Sequence, residues 1–86
     1  MEARILELLK DEVDKIHVQM IIQEEMLNVV NSIKITVQQG DENSVQQAKS
    51  IAQQKAMLQS SIDINKMTLA NLKERIKMEE NKWTMN

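Results

Sequence analysis

Eighty-six residues set an upper limit of one small domain. With 42% hydrophobic and 28% charged residues the chain is too apolar for a disordered tail. A single aromatic (Trp83), no cysteine and a net charge of −2 exclude an aromatic-rich core, a disulfide framework, a thiolate metal site and a strongly basic surface.

What remains for a core is Leu, Ile, Val, Met and Ala. Sixteen Asn and Gln residues make the other faces polar but lightly charged. The N-terminus, Met1-Glu2-Ala3-Arg4, leads directly into a charged amphipathic pattern with no apolar run behind it. No secretory signal is therefore expected, and with the absence of cysteine this favours a cytoplasmic protein. Uninterrupted apolar runs reach three residues, against the roughly 20 that span a bilayer, so no membrane insertion is expected.

The first predicted element is a helix over about residues 3–38, a stretch without Gly or Pro. Leu6, Leu9, Val13, Ile16, Met20, Leu27 and Val30 recur at alternating spacings of three and four, with Gln23 in the one gap. This is a heptad seam. Glu7 with Lys10 and Asp11 with Lys15 are spaced for weak support along the helix.

From Val18 onward a second apolar row runs beside the first: Val18, Ile22, Met26, Val29, Ile33 and Val37, with Ile21 and Ile35 adding to it. One partner helix covers a narrow stripe more readily than two rows. Either the seam is wide and filled by the chain's own second helix, or the row from Val18 to Val37 is an interface for another chain. The second reading is preferred, because contiguous exposed apolar surface marks interaction sites. The density of β-branched residues near Ile33–Val37 lowers helix propensity. A strand there would need a second strand-like run to pair with, which the chain lacks.

The stretch Gln39-Gly40-Asp41-Glu42-Asn43 holds the only glycine of a chain without proline, and is predicted as the turn, residues 39–43. Gly40 suits the left-handed conformation that ends a helix. Asp41 or Ser44 then caps the next one. Ser44-Val45-Gln46-Gln47 has capping-box spacing, which favours Ser44.

A second helix is predicted over about residues 44–82. Ala48, Ile51, Leu58, Ile62, Leu69, Leu72, Ile76 and Trp83 continue the three-four spacing, interrupted by Lys55, Asn65 and Glu79. Asn65 is the candidate register residue, since a polar group in a seam fixes alignment at a cost in stability. Folding back tightly about Gly40 pairs residues whose numbers sum to about 82. Met20 then meets Ile62, Ile16 meets Asn65, and Leu9 meets Leu72. The halves have opposite sign. Residues 1–39 hold seven acids and four bases, residues 43–86 four acids and seven bases, which suits antiparallel packing. The expected fold is all-α: a two-helix antiparallel, coiled-coil-like hairpin, completed by oligomerisation or a partner because one seam makes a small core.

Chemistry is sparse. His17 is the only histidine and has no carboxylate cluster around it at ligand spacing, so it reads as a surface or seam-edge residue near Asn65. The adjacent pairs Glu24-Glu25 and Glu79-Glu80 point different ways on a helix and read as solvated charges. No phosphate loop, dinucleotide fingerprint or calcium loop is present. Two arginines, Arg4 and Arg75, are too few for a helical enzyme that grips an anionic substrate. Lys66, Lys73 and Lys77 share one side of the second helix, but an acidic chain without stacking aromatics does not suit nucleic acid. No enzymatic activity, cofactor, metal or nucleic-acid partner is expected.

Val30-Asn31-Ser32-Ile33-Lys34, then Gln39-Gly40-Asp41, Ser44-Val45-Gln46-Gln47 and the run from Gln54 to Ile64 together resemble the small helical-hairpin chaperones of type III secretion needle subunits. The resemblance covers roughly Leu27 to Lys73. It implies a cytoplasmic adaptor or co-chaperone that pairs with a larger helical-repeat chaperone to keep a secreted subunit from polymerising. No individual contact residue is carried over from it. The alternative is a self-assembling coiled-coil subunit, either a homodimer or a needle- or rod-like secreted protein.

Overall fold

The computed structural model describes residues 2–34 and 40–84. They form two helices, α1 (Glu2–Ser32) and α2 (Glu42–Thr84), packed side by side and antiparallel in a rod 71 Å long and about 16 Å across. The all-α two-helix hairpin expected from the heptad spacing is what the chain forms.

The seam follows the three-four spacing closely. Ile16, Ile62 and Leu69 are buried, while Leu6, Leu9, Val13, Met20, Leu27 and Val30 of α1 and Ala48, Ile51, Leu58, Leu72 and Ile76 of α2 are half-buried. Two helices bury only the stripe each turns to the other, so most seam side chains keep one edge in water. No buried side-chain polar atom among the described residues lacks a hydrogen-bond partner.

Helix α1 stops at Ser32, six residues short of the expected end near residue 38. The Ser32 hydroxyl donates to the Val29 carbonyl at 2.6 Å, and the Ile33 amide donates three residues back to the Val30 carbonyl at 3.1 Å, closing the last turn tightly. Two causes act together. The side-chain bond competes with continued helix, and the β-branched run that follows is a poor helix former. In addition, no basic residue lies in the last turn to offset the helix dipole.

At the other side of the turn Gly40 takes φ +86°, the expected left-handed conformation, but eight residues past Ser32 it does not end α1 as expected. The cap is Asp41 rather than Ser44. Asp41 Oδ1 accepts from the amides of Asn43 (3.0 Å) and Ser44 (3.4 Å), and its carbonyl accepts the first helical bond from the Val45 amide at 3.3 Å. A carboxylate one residue past Gly40 reaches both first-turn amides and also meets the positive end of the helix dipole. Ser44 sits inside the first turn, buried, with its hydroxyl donating to the Asp41 carbonyl at 3.0 Å. Helix α2 therefore starts two residues earlier than expected, at Glu42.

The register also differs from the sum of 82. That alignment sets Gln23 opposite Gln59, but its side chain bonds Ser61 and Asn65, about one helical turn further along α2. A tight fold about Gly40 would have forced the closer alignment. With α1 ending at Ser32, nine residues separate the helices, and that slack lets the seams choose their own match. Counted from the Gln23 layer, the two helices run out together at Glu2 and Thr84.

Candidate protein-interaction face

The centre of the seam is polar. Gln23 Nε2 donates to Ser61 Oγ at 3.0 Å, and Asn65 Nδ2 donates to Gln23 Oε1 at 2.8 Å. Gln23, the one gap in the α1 stripe, meets Asn65, the middle of the three gaps in the α2 stripe. Asn65, the candidate register residue, thus faces Gln23 and not Ile16.

The two flanks of this seam differ in chemistry. On one, Met26 and Val30 of α1 border an open groove of about 420 Å³ with Gln54, Met57, Leu58 and Ser61 of α2. Ile22, Glu25 and Val29 extend it along α1, and Gln53, Ala56, Ser60 and Ile64 extend it along α2. The first groove shares Met26 and Val30 with the second and Met57 and Ser61 with the third, so the three adjoin along one flank. Glu25 is its only charged lining residue. The opposite flank carries His17, Lys66 and Lys73 around Met20, Leu69 and Ala70.

Of the row proposed as an interface, Val18, Ile22, Met26, Val29 and Ile33 are all exposed, between 44% and 58%. Val37 lies outside the described residues. Ile22, Met26 and Val29 come together on the uncharged flank. Val18 falls further from the seam, because each four-residue step turns the helix by about 40°. Ile33 follows the end of α1 and lines a separate groove with Ala48, Ile51, Ala52 and Lys55. The partners from α2, Met57 and Ile64 at 66% and 61% exposure, complete the face. Met57 lies off the three-four seam spacing of α2. Ile64 gave no separate signal, because only the packing of the two helices shows which residues of α2 lie on the same flank as Met26.

The charged groups do not converge on a site. Glu79 is buried in the seam rather than solvated, and it accepts from Arg75 Nε at 3.2 Å and Lys82 Nζ at 3.3 Å, both on its own helix. The other ion pair among the described residues, Glu12–Lys15 at 3.9 Å, is also within one helix. It replaces the expected Asp11–Lys15 pair. The opposite signs of the two halves therefore produce no ion pair across the seam among the described residues. His17 is exposed and its neighbours are cationic, while Asn65 is engaged by Gln23. No group of three or more His, Asp or Glu residues able to hold a metal occurs among the described residues. Nor is any described helix long and apolar enough to cross a membrane.

Compared with known proteins, the chain matches no family model, no curated protein and no solved structure.

Proposed function

We propose that this protein is a non-enzymatic protein-interaction module that receives helical segments on the flank formed by Ile22, Met26, Val29, Met57 and Ile64. One observation carries the reading. The scaffold buries only three apolar side chains among its described residues, yet leaves five large apolar ones on a single, nearly uncharged face. Exposed apolar surface of that continuity marks an interaction site. Methionine at its centre adapts to the shape of whatever covers it.

An adaptor or co-chaperone role in the cytoplasm, with a larger helical-repeat chaperone and a secreted subunit as partners, is the finer form of this proposal. It is supported by the resemblance of the Leu27–Lys73 stretch to type III secretion hairpin chaperones. The test is to compare wild type with Ile22→Asp and Val29→Asp. The substitutions are expected to raise solubility, remove binding of an apolar dye and abolish capture of partners from extract. Wild type that binds neither dye nor protein, and does not associate with itself, refutes the proposal.

A further inference from the structure

We infer that the occupant of this flank is a second copy of the same chain, forming a two-fold four-helix bundle in which Met26 of each copy inserts beside Ser61 of the other. The inference rests on the proposed interaction face and names its partner.

The first argument is area. A compact protein of 10.0 kDa exposes about 5,200 Å² by the usual size scaling, whereas this chain exposes 6973 Å². The surplus, about 1,700 Å², is twice the roughly 800 Å² each partner buries in a standard stable interface. One further hairpin on a standard interface absorbs about half of it.

The second argument is spacing. Ile22, Met26 and Val29 step by four and three, as do Met57, Ser61 and Ile64. Each helix thus carries a second seam beside the one already used, and only another helix pair matches that repeat on both sides of the groove. The two rows are also of equal length, about 10 Å. At their centres a long, pliant Met26 lies across the groove from a small Ser61. A two-fold axis brings each against the other, supplying knob and hole from one surface.

The third argument is charge. A surface that meets its own copy must not repel itself. With Glu25 as the only ionised residue lining the face, it meets that condition. The opposite flank, with His17, Lys66 and Lys73 converging, does not.

The test is sedimentation of the full chain from micromolar to millimolar concentration, with helicity followed in parallel. Wild type is expected at twice 10.0 kDa. Met26→Lys is expected to weaken the dimer on the order of 1,000-fold, because a two-fold interface carries each substitution twice. Lys66→Glu, on the far flank, is expected to leave it unchanged. If Met26→Lys loses helicity, the exposed Met57→Lys reads the same interface from α2. A dimer that withstands both Met26→Lys and Met57→Lys, or one that Lys66→Glu breaks, overturns the inference. A wild type monomeric throughout the range also overturns it. If that monomer still captures a partner that Met26→Lys releases, the interaction face stands and only its occupant was wrong. If it captures none, both fall.

Discussion

The polar layer at Gln23 permits a quantitative test of the register. In Gln23→Leu, two hydrogen bonds at about 1 kcal/mol each are lost, roughly balanced by about 2 kcal/mol from burying the leucine, so the variant is expected near wild-type stability. Asn65→Leu is worse. It leaves Gln23 Oε1, on a residue only 9% exposed, without its donor. That costs about 1–3 kcal/mol, against about 1 kcal/mol from a half-buried leucine. In the double variant both amides are gone, and Ser61, half-buried, retains access to water. It is expected to exceed wild type by about 1 kcal/mol, so the pair departs from additivity by about 2 kcal/mol. The assay is urea unfolding followed by helical circular dichroism, at one fixed protein concentration because self-association adds to apparent stability. Additivity within about 0.5 kcal/mol would show that Gln23 and Asn65 do not meet. Coupling of Gln23 to Gln59 instead would restore the tighter register about Gly40.

Two further predictions separate the seam from the outer face and locate the turn. Ile62→Ala, at a side chain 2% exposed, is expected to cost about 2–5 kcal/mol, while Ile64→Ala, two residues on and 61% exposed, changes the unfolding of the dissociated chain by about 0.5 kcal/mol or less. Equal effects would place the seam on the wrong edge of α2. At the turn, an added Cβ on Gly40 meets no atom within 4 Å, so Gly40→Ala is expected to cost only the backbone term, about 1–2 kcal/mol. Asp41→Ala loses the cap and about 0.5–2 kcal/mol by the same urea unfolding, a loss Ser44→Asp should not restore.

Much of this architecture is written in local pattern. The three-four spacing from Leu6 to Val30 and from Ala48 to Ile76 specifies two amphipathic helices, and a lone glycine in a chain without proline marks the connection between them, though not where α1 ends. Those are properties of neighbours along the chain, legible without any tertiary information. The exposure of Ile22, Met26 and Val29 was legible for the same reason, since a second row at helical spacing cannot share one seam with the first.

Register was not legible, and most of the remaining differences follow from it. It depends on how the two seams match over their whole length and on how much slack the connection allows, and no local window contains either quantity. Ending α1 at Ser32 released the alignment from Gly40, and the Gln23–Asn65 bond then fixed it one turn away. Packing set Met26 and Val30 across a groove from Met57 and Ser61, which lie beside Ile64 on α2, and left Ile33 on another groove. Sequence determined that the chain would be two helices with apolar surface to spare. Only the packing of one helix on the other decided where that surface is continuous, because continuity across a groove belongs to a pair of helices and to neither alone.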